Sequence, residues 1–254
     1  MNAVYVYGLL KSARAPALKK SVKGLSGTKK LRTLNAGDGW SALVADAPLA
    51  LYDAAAIDAR LRDLDWVSER AGEHDAVLEH AMELGTLIPL KLFTLFSNEE
   101  RALAHVQKSK RSLDRVVERI AGCEEWSLRI MLDEKRARAR AEAPAPKKKV
   151  SGTAFLERKK AIEDTRRRTG IRGAAEAEEL FASLSKLAKS AVRRPAPNRD
   201  LAARVFLDAV FLVPKKSVAK LQAAVGKVAP SLVEEGFDIT LSGPWPAYSF
   251  IGSK

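Results

Sequence analysis

The chain opens on Ala3-Val4-Tyr5-Val6-Tyr7-Gly8, a run of β-branched and aromatic residues closed by glycine, which predicts a strand. Leu31 to Asn35 and Trp40 to Asp46 predict two more, and Gly37-Asp38-Gly39 between them supplies the positive φ of a tight hairpin. From Asp53 the period lengthens. Ile57, Leu61, Leu64, Ala71, Val77 or Leu78, Ala81 and Leu84 recur at three and four residues with charges between them, an amphipathic helix expected to break near Gly72. Thr86 to Phe96 is apolar with little polar relief, and Pro89 confines it to an edge or irregular strand. Leu103, Val106, Leu113, Val116 and Ile120 give Asn98 to Ile120 one buried helical face, which Gly122 ends. Trp126, Leu128, Ile130 and Leu132 then alternate with polar residues, as in a strand covered on one face.

Lys135 to Val150 breaks the pattern. Ala-Pro-Ala-Pro at 143–146 runs into Lys147, Lys148 and Lys149. Proline removes backbone donors and like charges repel, so an extended, solvated linker is expected there. Beyond it a helical stretch reaches about Arg168, and a second helix, Ala174 to Val192, turns Leu180, Leu184, Leu187 and Ala191 inward before Pro195 and Pro197. Val205 to Val213 is almost continuously apolar, a central strand covered on both faces. Ser217 to Val228 is helical, with Val218, Leu221, Val225 and Val228 in register, and Phe237, Ile239 and Leu241 alternate as a last strand. Each half mixes helices with a few strands. The expected class is α+β, in two domains, each with helices on a small, mostly antiparallel sheet. The expected boundaries are 1–134, a basic Pro/Ala/Lys linker at 135–150, and 151–254 ending in the GPWPAYSF tail.

Charge sharpens this division. Of the net +13, residues 1–134 contribute nothing, with 19 basic and 19 acidic side chains. Residues 135–149 carry seven basic side chains against Glu142 alone, and residues 150–254 carry 18 against 11. A positive field of this kind favours acidic partners. No stretch approaches the ~20 apolar residues of a membrane-spanning helix. Met1 to Tyr7 runs straight into the first strand without the layout of a secretory signal. The lone Cys123 cannot close an intrachain disulfide, reads as a small buried hydrophobe, and fits a reducing cytoplasm.

Candidate chemistry is sparse. His74 and His80 stand six apart, where one helix face needs three or four, and His105 is remote, so no metal site is expected. Gly8, Gly24 and Gly27 miss the dinucleotide spacing. Asp53, Asp58, Asp63 and Asp65 wrap around a helix as a solvated face. The reading is a non-enzyme with no catalytic, metal or cofactor residues. The alternative is a basic nucleic-acid-binding module, because Tyr5 and Tyr7 share one strand face as base-stacking aromatics do. Against it, the half that carries them has no net charge. Lys147-Lys148-Lys149 and Arg166-Arg167-Arg168 read as solvated surface, the lysines also as a possible basic docking element.

Several blocks together resemble the gas vesicle protein F/L family. Tyr5-Val6-Tyr7-Gly8 looks like its opening strand. His74 through Val77 and Leu78, followed by Ile88 to Phe96, looks like its "H…vlP.rfgtvf" block, around Pro89 and Phe93, with Lys91 and Leu92 where Arg and Phe are usual. Glu125-Trp126-Ser127-Leu128-Arg129 is similar to "EW.vk", and Ser151-Gly152-Thr153-Ala154-Phe155-Leu156 to "SGtaYL". Leu241 through Gly243, Pro244, Trp245, Pro246, Tyr248 and Phe250 is near "ltGPWPpYsF", with Ala247 for a usual proline. The likeness runs in order from residue 5 to residue 250. It implies a two-domain protein with ferredoxin-like features in at least one domain. It also implies a part in gas vesicle formation, as assembly factor or minor shell protein, through the main shell protein and other accessory proteins. It places the chain in the cytoplasm and at the gas vesicle, and brings no catalytic residues. The tail's two prolines fix φ and gather three aromatics, from which core closure of the C-terminal domain is expected.

Overall fold

Runs of β-branched, aromatic and small apolar residues, buried on both faces in β1 and β3, build β1 (Asn2–Lys11), β2 (Arg32–Gly37) and β3 (Trp40–Pro48), and the hairpin joining the last two turns through positive φ at Gly37, Asp38 and Gly39. The computed structural model describes residues 1–19, 21–141, 152–195 and 204–252. It divides into two units, one of Met1–Gly122 with Trp245–Lys254 and one of Cys123–Pro244.

In the first unit, α1 (Leu49–Tyr52), α2 (Ala54–Arg60) and α3 (Leu64–Met82) lead into β4 (Thr86–Pro89), β5 (Leu95–Phe96) and α4 (Glu99–Ile120). The sheet order is β2-β3-β1-β4, antiparallel, with β5 also paired to β1. Pro89 sits at the end of edge strand β4, opposite Gly8. Tyr5, Tyr7, Leu10, Leu43, Ala45 and Ala47 form one sheet face, under Val77, Leu78 and Ala81 of α3. The other face meets α4: the Trp40 indole donates to Asp114 at 3.1 Å, and Arg32 pairs with Glu99 at 2.6 Å. The helix break expected near Gly72 falls instead at residues 61–63. The Asp53 and Asp63 side chains accept the Ala56 and Trp66 amides at 2.7 and 3.1 Å, so capping outweighs a single glycine on a packed helix.

In the second unit β6 (Cys123–Leu132) is followed by α5 (Glu134–Ala141) and α6 (Gly152–Leu187). Then come β7 (Ser190–Arg193), β8 (Val205–Pro214), α7 (Val218–Glu234) and β9 (Phe237–Trp245). The strand order is β7-β8-β6-β9, which with this element sequence is the ferredoxin-like arrangement. Leu128, Ile130, Phe211 and Val213 of the sheet pack against Leu180 and Leu184 of α6 and Leu221 and Val225 of α7.

Three further sequence expectations change in this unit. The division does not fall at 134, because β6 pairs with β8 along its length, from Cys123 opposite Pro214 to Met131 opposite Val205, and so belongs to the second sheet. Of the expected linker, 135–141 lies in α5, and 142–150 is outside the described residues. The two helices expected after residue 151 are one helix of 36 residues ending at Leu187. Ala191 consequently lies in β7, opposite Phe211, rather than in a helix.

Candidate functional site

The motif positions of the first unit converge on one buried knot. The Tyr5 hydroxyl lies 2.8 Å from Nδ1 of His74 and accepts the Phe93 amide at 3.1 Å. Nε2 of His74 is 3.2 Å from the Leu90 carbonyl. A carbonyl only accepts, so in the neutral ring the proton sits on Nε2, and Nδ1 takes the Tyr5 O–H. Tyr7 stacks on His74 at 5.4 Å and accepts the Leu25 amide at 2.8 Å. Three sequence blocks, around Tyr7, His74 and Pro89 to Phe93, are thereby one hydrogen-bonded unit.

Electrostatics follow from burial. Desolvation lowers the His74 pKa below its ordinary value of 6.5, favouring the neutral ring. Desolvation raises Tyr5 well above the usual tyrosine range and pushes Tyr7 up to about 12. The Cys123 thiol is likewise raised by burial. Tyr5 and His74 spend their donors and acceptors on each other, the Phe93 amide and the Leu90 carbonyl, and Tyr7 accepts the Leu25 amide, an arrangement that holds a shape. Tyr5 and Tyr7 lie wholly inside, under α3, which takes away the base-stacking surface that the nucleic-acid reading needs.

Phe93 is the unusual residue of the knot. Its φ of 63° places a bulky side chain in the left-handed region. The resembling block has glycine at this place, the sequence signal that would have revealed the conformation. In return the Phe93 ring stacks on Trp66 at 5.4 Å and 15°. Beside it, the loop after β1 is tied down by Glu73, which accepts the Ser26 amide at 2.9 Å and the Ser26 hydroxyl at 2.5 Å.

The remaining positions sit elsewhere. Trp126 of β6 is buried, and its ring is what a Cβ on Gly243 would strike, at 2.9 Å, together with the Glu125 carbonyl. Gly243 also has a φ of 144°, so the Glu-Trp block and the Gly-Pro-Trp block fit only because that residue is glycine. The peptide into Pro244 is cis. Gly152 opens α6. Ser151, Lys147, Lys148 and Lys149 lie outside the described residues.

The tail does not close the C-terminal domain as expected. Trp245 is 37% exposed, and Pro246, Ala247 and Phe250 are buried in a segment that groups with the first unit. The Tyr248 hydroxyl donates to Asp75 at 3.0 Å, the residue after His74. The chain end returns to the helix that carries the knot, and no spacing rule links residues 173 positions apart.

Family comparison decides what this arrangement is. The sequence model described as "Gas vesicle synthesis protein GvpL/GvpF" matches residues 3–252. The chain belongs to the GvpL/GvpF family. Gas vesicle protein L of Streptomyces sp. (strain CB03234) is 29% identical over 252 residues, spanning 98% of this chain and 92% of that one. The crystal structure of GvpF from Anabaena sp. PCC7120 superposes with a TM-score of 0.69 at 20% identity, covering 100% of this chain and 98% of that one. GvpF from Microcystis aeruginosa gives 0.67 at 19% identity, covering 99% of each. The α+β fold with two sheet-and-helix units is therefore that of the GvpF structures, and a gas vesicle role follows from the family. Among the described residues no helix is long and apolar enough to cross a membrane.

Proposed function

We propose that this chain assists assembly or nucleation of the gas vesicle, as an accessory or minor shell protein, by contacting the main hydrophobic shell protein and other gas vesicle accessory proteins. It acts without catalysis, cofactor or nucleic acid, in the cytoplasm and at the growing vesicle. The observation that carries this reading is the family match across residues 3–252. Its physical logic is aggregation control. A subunit whose apolar face will meet gas exposes that face before assembly and is prone to aggregate. A protein that holds such subunits or seeds their array needs a rigid, mixed apolar and charged surface, and the motif side chains around Tyr5 and His74 are spent on rigidity.

The test is complementation in a cell whose own copy of the gene is deleted. Full-length protein restores buoyant vesicles visible by electron microscopy. Vesicles of normal number and shape in the deletion strain itself contradict the proposal.

A further inference from the structure

α6 and α7 pack side by side on the second sheet, and the cleft along their outer surface has a volume of about 590 Å³. Leu180 of α6 and Ala224 and Val228 of α7 are among the residues that line it as an apolar floor. Its two edges carry opposite charge, Glu179 on α6 against Lys220 and Lys227 on α7. We propose that this cleft docks an amphipathic helix of a partner protein. The contacting stripe of that helix is made of small residues, and its flanks are basic beside α6 and acidic beside α7.

Length, depth and charge each select that occupant. The lining runs from Glu176 to Ser183 on α6 and from Lys220 to Ser231 on α7, about 10 and 16 Å at ~1.5 Å per residue, or two to three turns of helix. Ala223 and Ala224 keep the α7 wall low, so the incoming backbone approaches closely only if its own stripe is Ala, Gly or Ser. A nucleic acid, negative along both flanks, meets repulsion at the Glu179 edge, whereas a helix with one basic and one acidic flank satisfies both edges. The inference rests on the reading that this chain works through protein contacts, and adds the surface and the form of the ligand.

The probe is a capped, dye-labelled synthetic helix of about 18 residues with an alanine stripe, lysines on one flank and glutamates on the other, titrated with the full chain by fluorescence anisotropy. Glu179→Lys with Ser183→Lys makes both edges basic and leaves the Arg172–Glu176 pair intact. Lys220→Glu with Lys227→Glu makes both edges acidic. Each double variant is expected to bind about tenfold more weakly. All four changes together restore opposite edges, and binding returns because the peptide turns end for end. Ala223→Trp fills the cleft from its exposed side and abolishes binding. Unchanged thermal melts show that each variant folds.

Failure of the peptide to bind, of the fourfold variant to recover, or of Ala223→Trp to block overturns the inference. Sedimentation showing a dimer that the double variants dissolve also overturns it, because the occupant is then a second copy. If the peptide fails while the full chain still captures the main shell protein, the cleft alone is wrong. If capture fails as well, the functional reading falls with it.

Discussion

The Tyr5 hydroxyl stands between two family-motif segments, 2.8 Å from Nδ1 of His74 on α3 and 3.1 Å from the Phe93 amide beyond β4. One oxygen on β1 thereby fixes the register of a helix and of an irregular loop.

Tyr5→Phe keeps the ring and leaves the Phe93 amide and the His74 nitrogen without that partner. The expected loss is about 1–3 kcal/mol, the desolvation cost of buried groups left unpaired. Urea unfolding measures it, and a variant as stable as the parent removes the knot from the account.

Acid should weaken the first unit through His74. Burial lowers its folded pKa below the ordinary 6.5, so the unfolded chain binds the proton more tightly. Stability is therefore full above about pH 6.5 and falls as pH drops from there toward the folded value. Unfolding free energies at pH 7.5, 6.5 and 5.5 trace the loss, and His74→Gln should flatten that part of the curve. A slope unchanged in the variant assigns the titration to another group.

At Phe93 the smaller substitution is expected to be the better one. Phe93→Ala loses the stack on Trp66 and keeps a side chain at a φ of 63°, whereas Phe93→Gly loses the same stack and relieves the left-handed strain. The glycine variant should be more stable than the alanine variant by about 1 kcal/mol. In an ordinary loop the order reverses, and thermal melts of the pair decide it.

The two tryptophans of the later motifs should differ just as clearly. Trp126→Ala empties a buried site and should cost about 3–5 kcal/mol. Trp245→Ala, at a residue 37% exposed, should cost less than half as much. Equal losses return Trp245 to the core.

Much of this was legible in the chain. Strand-forming runs placed β1, β2, β3, β6, β8 and β9, alternating in β6 and β9 and continuously apolar in β8, and the edge position of β4 followed from Pro89. Asp53 and Asp63 look in the sequence like two more carboxylates of a solvated face with Asp58 and Asp65, and only their bonds to the Ala56 and Trp66 amides mark them as helix caps. The domain boundary misled because composition changes at Lys135, while the fold changes where β6 finds β8, a pairing between residues some eighty positions apart. A truncation after residue 134 would therefore leave β6 without its sheet. The motif residues were visible as blocks, yet their mutual contacts, Tyr5 with His74, Trp126 with Gly243 and Asp75 with Tyr248, depend on topology that no local spacing encodes.

Association with the main shell protein is the central claim, and co-expression tests it most directly. Tagged full-length chain and untagged shell protein are produced together and recovered on resin at low and at high salt. Apolar contact should supply most of the affinity, since exposed charge pairs add only ~0.2–1 kcal/mol each. Capture is therefore expected to weaken with salt and to persist at high salt. Shell protein recovered no better than on resin without the tagged chain contradicts the account.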